Sequence, residues 1–580
     1  MTSFGRVISV RGSLARVGLL ASNQLGVSEV RATVGRFVSI RCANSTIVAM
    51  ITEVSSEGDL PESGTYIASA SVDLLGEILG GPERPKFQRG ITNYPTIGDT
   101  VDLITSQELR TVYAPSGSDQ IDVGTLQQDR SVVAYVDIEE MLSKHFAVLG
   151  STGVGKSTGV SLLLNEILKS RPNLRIFLLD VHNEYGRCFG DRSLVLNPRN
   201  LKLPFWLFNF EEIVDVLFAG RPGVPDELDI LAEVIPVAKG IYTQYQNGDR
   251  VAVKRSESRG AGYTVDTPVP YRLVDLISLI DERMGKLENR SSRIIYHKLI
   301  SRIEAVRNDP RYTFMFDNAN VGGDTMADVV SHLFRLPANG KPMTVMQLAG
   351  FPAEVVDSVV SVLCRMAFDF GLWSDGVSPL LFVCEEAHRY ASADRSIGFG
   401  PTRKAVSRIA KEGRKYGVYL GLVTQRPAEL DATIISQCNT LFAMRLANER
   451  DQSLLRAAVS DAAANLLSFV PSLGSREVLA FGEGVALPTR LRFKEVPVHQ
   501  LPRSEASIST VPSATSGHDM HFVGAVLERW RGATSSRDAP SDPGSNDRTA
   551  ARPVLVEAPM LQPSMGLDPD RFSLLKKPLR

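Results

Sequence analysis

Short apolar runs separated by turn residues fill the first 135 residues. Runs such as GRVISV, ARVGLL and TIVAMITEV have the length and β-branched content of strands, and Gly, Ser, Asn or Pro residues separate them. Such closely spaced strands predict a small β-barrel or β-sandwich over residues 1–135. No catalytic group of residues stands out in this segment, so we expect it to serve assembly or the docking of a partner protein.

A different pattern begins near residue 136 and continues to about residue 500. Apolar strand-like segments alternate there with helical patterns, which predicts an α/β sheet. The candidate strands are HFAVLG, RIFLLD, PLLFVCEE, VYLGLVTQ and NTLFAMRL. Between the second and third of these, roughly over residues 205–370, apolar residues recur at helical spacing, as in RSSRIIYHKLISRIEAV. We therefore expect a mostly helical insertion in the α/β domain.

The last segment, residues 501–580, is rich in Ser, Pro, Ala and Asp. Such a composition buries too little apolar surface to fold, and it predicts a disordered, flexible tail. Within the tail, DMHFVGAVLERW places Phe522, Val526 and Trp530 on one side of a possible short amphipathic helix. That helix could dock a partner or pack on its own domain, and the sequence leaves both possibilities open.

Composition narrows the class of protein only slightly. With 43% hydrophobic and 22% charged residues, the 580-residue chain is typical of globular proteins with two or three folded units. A formal net charge of −1 means that any nucleic-acid site must be a local basic surface or a ring built from several subunits. The five cysteines show no CxxC pairing, and no apolar run is long enough to span a bilayer, so we expect a cytoplasmic protein without structural zinc or disulfides.

Residues 150–157 read GSTGVGKS and match the phosphate-binding P-loop, with a predicted strand before them and an amphipathic helix after them. Glycines permit the sharp path by which backbone N–H groups surround phosphate at a helix N-terminus. Lys156 is expected to contact the β- and γ-phosphates of ATP, and Ser157 to ligate Mg²⁺. The predicted nucleotide-binding residues are Gly150, Ser151, Thr152, Gly153, Val154, Gly155, Lys156, Ser157 and Thr158.

Two carboxylates, Glu385 and Glu386, directly follow the apolar run LLFVC. This is the position of the acidic pair that supports Mg²⁺ and activates water in P-loop ATPases, although the usual pair is Asp-Glu. We assign Glu385 to the metal and Glu386 to the attacking water. The alternative is an acidic strand end that simply faces solvent.

Two further strand ends carry polar residues. Thr424 and Gln425 end VYLGLVTQ, and because ligands of open α/β sheets bind beyond the carboxyl ends of strands, we predict that Gln425 senses the γ-phosphate. Asp180, His182 and Glu184 follow the strand RIFLLD, where a supporting role and ordinary turn chemistry are equally compatible with the residues. No second pair with ligand spacing follows them, which argues against zinc.

A basic segment, RKAVSRIAKEGRKYG, lies between the carboxylates and Gln425. Its cations are Arg403, Lys404, Arg408, Lys411, Arg414 and Lys415. Such a run is often a solvated helix face. It could also contact DNA phosphates, or deliver an arginine to the ATP of a neighbouring subunit. Arg414 is our candidate for that arginine finger, and Arg408 is the alternative.

Taken together, these motifs resemble those of the HerA-type hexameric ATPases, within the group that includes FtsK and the conjugation motors. The shared order is GSTGVGKST, LLDVHNEYG, VMQLAGFP, LLFVCEEAHRY, RIAKEGRKYGVYLGLVTQRP and FAMRLANERDQ. The start GRVISVRGSLARV resembles that of their N-terminal barrel, and Arg445 fits their RL-N pattern. The resemblance implies a RecA-like P-loop ATPase core preceded by a β-barrel.

The same resemblance implies a function. It implies a homohexamer that moves along double-stranded DNA by hydrolysing ATP with Mg²⁺, with Arg414 acting on the neighbouring subunit's nucleotide. The barrel would dock an effector, either a nuclease or a sirtuin-like enzyme, in DNA end processing or in defence against phage. An ATP-gated scaffold that activates its effector and a peptide-transport ATPase remain as alternatives, and nothing in the sequence suggests membrane attachment.

Overall fold

The structure is a computed structural model. It describes residues 4–20, 32–56, 66–80, 85–115, 117, 119–246, 262–317, 319, 323–396, 398–458, 465–503, 523–524, 526–528 and 531. The chain divides into residues 1–537 and 538–580, and the second unit lies outside the described residues. Most of the predicted tail lies outside them as well. The described residues between 523 and 531 are helical, but Phe522 and Trp530 are not among those described.

The N-terminal strands form a closed antiparallel barrel. The strands are β1 (Gly5–Arg11), β2 (Leu14–Leu20), β3 (Phe37–Arg41), β4 (Thr46–Ser55), β5 (Tyr66–Leu79), β6 (Lys86–Arg89) and β7 (Thr100–Leu103). Their order is β2-β1-β7-β3-β4-β5-β6, and an additional pairing of β2 with β5 closes six strands into a ring. Inward residues such as Val17, Ile40 and Val72 fill the interior. The small barrel predicted from the strand spacing is therefore confirmed.

After the barrel, two short helices accompany the first two strands of the second sheet. Helix α1 (Ser106–Val112) is followed by β8 (Gln120–Leu126), β9 (Val133–Asp137) and the short helix α2 (Ile138–Leu142). Strand β8 pairs with β9 and with a strand near residue 491 of the large sheet. The barrel strands thus end at Leu103, whereas the sequence pattern placed the boundary at 135. Strands β8 and β9 are short and contain β-branched residues, as the barrel strands do. The pattern of apolar residues therefore could not reveal which of the two sheets they join.

An 11-stranded sheet forms the centre of the second part. Its remaining strands are β10 (His145–Leu149), β11 (Arg175–Asp180), β12 (Ser193–Leu196), β13 (Met343–Gln347), β14 (Leu380–Glu385), β15 (Val418–Thr424), β16 (Cys438–Ala443), β17 (Glu477–Gly482) and β18 (Thr489–Phe493). The order is β12-β13-β11-β14-β15-β10-β16-β17-β18-β8-β9. The strands from β12 to β16 in this order are parallel, and the last four are antiparallel. This is the predicted RecA-like α/β core.

Burial explains the apolar runs that predicted the central strands. Every residue of β10 and of β14 is buried, because helices cover both faces of a parallel sheet. The helices that accompany the sheet are α3 (Lys156–Ser170), α10 (Val356–Trp373), α11 (Gly400–Glu412), α12 (Ala432–Ile435) and α13 (Glu449–Ala458). Strand order places β15 between β10 and β14, so the P-loop strand and the carboxylate strand are separated by one strand.

The insertion is helical but shorter than predicted. It contains α4 (Phe210–Leu217), α5 (Pro225–Gln246), α6 (Leu273–Gly285), α7 (Arg290–Asn308), α8 (Thr313–Phe316) and α9 (Met326–Phe334). The predicted range of 205–370 also took in β13 and most of α10, which belong to the sheet and its covering layer. The run MTVMQ lies between the helical patterns of the insertion and was not predicted as a strand. Its pairing with β11 and β12 places it in the sheet.

A buried ion pair fixes the insertion on the sheet layer. Glu212 of α4 is fully buried and accepts hydrogen bonds from Nε and Nη2 of Arg365 on α10, at 3.2 and 2.8 Å. It also accepts one from the hydroxyl of Ser361 at 2.8 Å. Removing one partner of such a pair leaves an uncompensated buried charge, so the pair specifies how α4 packs on α10. Among the described residues, no helix is both long and apolar enough to cross a membrane.

Candidate nucleotide site

The sequence-predicted nucleotide residues lie at one edge of the central sheet. The carboxyl ends of β11, β14, β15, β10 and β16 meet there, because these strands are parallel. The P-loop follows β10, Glu385 ends β14 and Glu386 follows it, and Gln425 follows β15. The fold thus brings together three chain segments that are far apart in sequence.

The backbone of the P-loop is shaped for an anion. Gly153 and Gly155 have φ angles of 78° and 96°, in the left-handed region that glycine adopts without strain. Gly155 is the N-cap of α3, whose first N–H groups have no intrahelical acceptor. The N–H groups of residues 152–155 donate to no other part of the chain that the structure describes. These donors and the positive end of the helix dipole form a phosphate-binding concavity.

Hydrogen bonds from both backbone and side chains fix the start of the loop to neighbouring strands. The N–H of Gly150 donates to the carbonyl of Thr424 at 3.3 Å, and the N–H of Ser151 donates to the carbonyl of Arg445 at 2.9 Å. The hydroxyl of Thr152 donates to Oε1 of Gln425 at 2.5 Å. The loop is therefore held between the ends of β15 and β16.

Lys156 and Glu386 form the central ion pair of the site. Nζ of Lys156 lies 3.3 Å from Oε1 of Glu386, and both side chains are less than 10% exposed. Each buried charge compensates the other, because an unpaired ammonium or carboxylate at this position would strongly destabilise the folded protein. The lysine predicted to bind phosphate is thus paired with the carboxylate predicted to activate water.

Glu386 occupies an uncommon backbone conformation. Its φ of 48° lies in the left-handed region, which costs a non-glycine residue about 1 kcal/mol or more. Its second oxygen, Oε2, is buried and has no hydrogen-bond partner among the described residues. The same oxygen lies 3.3 Å from Nδ1 of His388, which is closer to the hydroxyl of Thr424, at 3.0 Å. Glu386 therefore keeps one acceptor atom free inside the site.

His388 was assigned no role from the sequence, although it lies in the EEAH motif. It connects the carboxylate strand β14 to the end of β15 through Thr424, and the N–H of Arg426 also donates to the Thr424 hydroxyl at 3.1 Å. Burial lowers the pKa of His388, while the nearby Glu386 opposes that shift. Its position two residues after the carboxylates was the only signal that the sequence offered.

Glu385 is buried among other acidic groups. Its Oε2 accepts a hydrogen bond from the N–H of Val181 at 3.2 Å. Burial raises the pKa of Glu385 to about 8, the negative charges of Asp180 and Glu184 add to the shift, and Lys156 opposes it. A cation bound nearby would favour the ionised carboxylate.

These residues fit Mg²⁺ held mainly by phosphate oxygens. No group of three or more His, Cys, Asp or Glu side chains with the geometry of a metal site occurs in the described ranges. Magnesium in nucleotide sites is usually bound by one or two protein oxygens, with phosphates and water completing the octahedron. Ser157 at the start of α3 and the buried, acid-surrounded Glu385 could supply those oxygens.

The polar residues after β11 have separate environments. Asp180 is buried and accepts hydrogen bonds from the N–H groups of Glu184 and Tyr185, both at 3.0 Å, so its carboxylate closes the turn. The ring of His182 is half-exposed, and its Nε2 lies 3.9 Å from Oε1 of Glu386. Asp180 therefore has the role of a turn residue, whereas His182 lies beside the carboxylate of Glu386, where it could support the site.

Arg414, the candidate arginine finger, lies far from the P-loop of its own subunit. Helix α11 ends at Glu412, a 3₁₀ turn over Gly413–Tyr416 follows, and Gly417 with φ of 69° leads into the amino end of β15. Arg414 is therefore separated from the P-loop edge by the seven residues of β15, about 20 Å. Its side chain is exposed, and no ion pair joins it to another described residue.

Arg408 has partners within its own subunit. Its Nη1 lies 3.3 Å from Oδ1 of Asp369, and its guanidinium stacks 4.0 Å from the ring centre of Phe368. Of the other predicted cations, Lys404 pairs with Glu211 at 3.5 Å. The structure thus leaves the guanidinium of Arg414 available and engages that of Arg408.

Two arginines flank the opposite side of the P-loop. Arg445, at the end of β16, contributes its carbonyl to Ser151 while its side chain is exposed. Arg476, just before β17, donates its backbone N–H to the carbonyl of Val154 at 3.1 Å. Sequence reasoning missed Arg476, because the pairing of β16 with β17 that brings it to the loop is not visible in the sequence.

Known proteins match this chain in sequence. Residues 121–367 match the family described as the helicase HerA central domain. The chain is 26% identical over 500 residues to the DNA double-strand break repair helicase HerA of Pyrococcus furiosus, covering 80% of this chain and 82% of that protein. It is 24% identical over 440 residues to the protein of the same name from Sulfolobus acidocaldarius, covering 74% and 78%.

Among solved structures, VirB4 of Thermoanaerobacter pseudethanolicus aligns with a TM-score of 0.42 at 16% identity, covering 65% of this chain and 96% of that one. The match of the central domain includes the P-loop and its strand β10. The chain is a P-loop ATPase whose central part matches the helicase HerA central domain.

Proposed function

We propose that this ATPase is a motor on double-stranded DNA that acts as a homohexameric ring. The observation that carries the proposal is the position of Arg414, exposed at the edge of the sheet opposite the P-loop of its own subunit. An arginine finger stabilises charge on the transferred phosphoryl group only by direct contact. Arg414 could make that contact only with a nucleotide of another subunit, and a closed ring supplies one such neighbour to every subunit.

The ion pair between Lys156 and Glu386 suggests how nucleotide binding is linked to hydrolysis. The triphosphate competes for Lys156, because its oxygens carry more negative charge than one carboxylate. Glu386 then loses its cation and is free to accept a proton from the attacking water, as a general base does. Mg²⁺ held by Ser157 and Glu385 would neutralise charge that develops on the phosphates.

Exposed apolar residues near Arg414 support the subunit boundary. Trp373 at the end of α10 is 83% exposed and Val377 is 81% exposed. The turn between them packs on the finger segment, because the backbone of Gly376 lies against Tyr416 and Gly417. Large exposed apolar groups beside a cation that lacks a partner are typical of a protein interface.

The DNA substrate is proposed from the relatives, whose names describe DNA double-strand break repair helicases. A ring also accounts for DNA binding by a chain of net charge −1, since it concentrates local cations in one channel. Lys411, Arg414 and Lys415 are exposed and have no ion-pair partner among the described residues.

The test compares ATP turnover without DNA, with short duplexes and with long linear duplexes at equal base-pair concentration. A motor that travels along DNA should turn over faster on the long duplex, because it dissociates less often per step. Lys156→Ala should abolish turnover on every substrate. Turnover that is the same with and without DNA would contradict the proposal and favour the scaffold or peptide-transport alternatives.

We further propose that the barrel docks an effector enzyme, such as a nuclease that acts in DNA end processing or in defence against phage. The barrel surface exposes Ile97 (75%) and Tyr94 (54%) on the loop before β7. An Ile97→Asp and Tyr94→Asp double variant should lose nuclease activity that copurifies with the wild-type protein, while its ATP turnover stays unchanged. Equal nuclease activity in both preparations would rule out this surface.

A further inference from the structure

Arg476 lies directly against the phosphate loop of its own subunit. Its N–H donates to the carbonyl of Val154 at 3.1 Å, and its carbonyl accepts from the N–H of Phe493 at 3.0 Å. A Cβ atom added to Gly155 would lie 3.5 Å from Cγ of Arg476. The stem of this arginine thus packs on the last glycine before Lys156.

The guanidinium of Arg476 is only weakly engaged. In the described part of the chain, its one hydrogen-bonded partner is Glu495, where Nη2 donates to Oε1 at 3.0 Å. The side chain of Glu495 is 86% exposed, and that of Arg476 is 25% exposed. A surface ion pair of this kind contributes little, about 0–1 kcal/mol, and a guanidinium has five donors. Most of the hydrogen-bonding capacity of Arg476 is therefore free beside the nucleotide site.

The side of the loop on which Arg476 lies indicates which part of ATP it meets. Across the sheet edge the order is β14, β15, β10, β16 and β17. Lys156 and the carboxylates after β14 mark the side of the γ-phosphate. Arg476 precedes β17, on the other side of the P-loop, where the rest of the nucleotide must extend.

We infer that Arg476 is a nucleotide-binding residue whose guanidinium contacts the α-phosphate of ATP bound to its own subunit. Arg476 increases the affinity for nucleotide through a charge-assisted hydrogen bond to the α-phosphate, a group that ATP and ADP both have. It takes no part in cleaving the γ-phosphate. The inference rests on nucleotide binding at the P-loop and not on movement along DNA, so failure of the DNA proposal would leave it intact.

The backbone of Arg476 offers an unusually clean test. Its φ of 63° lies in the left-handed region, which glycine adopts without strain. Arg476→Gly therefore removes the side chain while it relaxes the turn. Displacement of a fluorescent nucleotide should show that Arg476→Gly weakens ATP and ADP by the same factor, about tenfold. The turnover number at saturating ATP should stay within about threefold of wild type, as expected for uniform binding.

Two further variants separate binding from a structural role. Glu495→Gln breaks the ion pair but keeps the arginine, so it should bind nucleotide as well as the wild type or more tightly. Arg476→Met keeps the stem and the packing on Gly155, and it should weaken both nucleotides like the glycine variant. The inference is overturned if ADP affinity is unchanged in Arg476→Met and Arg476→Gly, if only ATP is weakened, or if Glu495→Gln reproduces the loss.

Discussion

At the scale of single residues, Glu386 combines three unusual properties. It is buried, it has a left-handed backbone conformation, and it forms an ion pair with Lys156, the lysine that is expected to bind phosphate. Strained residues persist where the surrounding structure holds them, and they concentrate at active sites. The carbonyl of Glu386 accepts from the N–H of Arg389 at 2.9 Å, which starts the 3₁₀ turn Ala387–Arg389 and holds the strained backbone.

The first prediction concerns this carboxylate. Glu386→Gln should lower ATP turnover at least 100-fold, because an amide cannot accept a proton from water, while general-base catalysis contributes about 10²–10⁴-fold. ATP should still bind, and more tightly than to the wild type, since Lys156 no longer has a carboxylate partner. Phosphate release and fluorescent-nucleotide displacement measure the two effects.

Glu429→Gln is the matched control, since Glu429 is a half-exposed carboxylate on the turn after β15. It should leave turnover within about twofold of the wild type, as surface charge changes usually do. Loss of ATP binding in Glu386→Gln, or turnover near that of the control, would remove Glu386 from the assigned role.

At the scale of elements, one buried histidine joins two strands and a helix. His145 begins β10; its Nδ1 accepts from the N–H of Leu420 on β15 at 2.9 Å, and its Nε2 lies 2.9 Å from the carbonyl of Ala410 on α11. Because Nδ1 is the acceptor, the proton is on Nε2, which donates to Ala410. The neutral ring thus connects the P-loop strand to the helix that leads into the finger segment.

The second prediction follows from this ring. Burial lowers the pKa of His145 to about 4, below the value near 6.5 of an unfolded histidine. The unfolded chain therefore binds a proton that the folded chain does not, so the stability contributed by the neutral ring is complete above pH 6.5 and is lost as the pH falls toward 4. We expect a loss of about 2 kcal/mol by pH 5, seen as a lower Tm than at pH 7.5.

His145→Asn keeps an acceptor for Leu420 but cannot titrate, so its Tm should depend less on pH over the same interval. His297→Asn, at an exposed position on α7, is the control and should keep the wild-type dependence. If His145→Asn shows the same fall in Tm as the wild type, other groups cause the acid sensitivity.

At the scale of the whole molecule, the proposed ring divides each active site between two subunits. The P-loop and carboxylates lie at one edge of the sheet, and Arg414 lies at the other. A site divided in this way should be restored when two differently defective subunits meet, because one supplies the carboxylate and the other supplies the arginine.

The third prediction uses this complementation. Arg414→Ala and Glu386→Gln should each be inactive alone. Rings that form from an equal mixture should recover turnover, up to about a quarter of the wild-type value if boundaries act independently, since one boundary in four joins two intact halves. The measurement is ATP turnover after co-refolding or co-expression, with a labelled subunit to verify that rings are mixed.

Arg408→Ala serves as the matched control. It should retain turnover near the wild-type value, because Asp369 and Phe368 engage its guanidinium within the subunit. Mixed rings without recovered turnover would contradict a finger acting between subunits. Normal turnover of Arg414→Ala alone would contradict any role for Arg414 in catalysis.

The sequence by itself determined the parts of this protein that depend on local patterns. The P-loop is recognisable because one stretch must combine a buried strand, glycines with special φ angles and a helix that begins at Lys156. The apolar runs of β10, β11, β14 and β15 are recognisable because a parallel sheet covered on both faces buries nearly every residue of these strands. The barrel was predicted from strand spacing, and Glu385 and Glu386 from their place directly after the apolar run LLFVC.

Only the tertiary structure decided what depends on long-range pairing. It assigned β8 and β9 to the large sheet, placed MTVMQ between β11 and β12, and brought Arg476 of a distant hairpin to the P-loop. It also separated Arg408, which is bound within its own subunit, from Arg414, which is not. None of these follows from local composition, because strand order and the partner of a charged group are set by residues up to several hundred positions away.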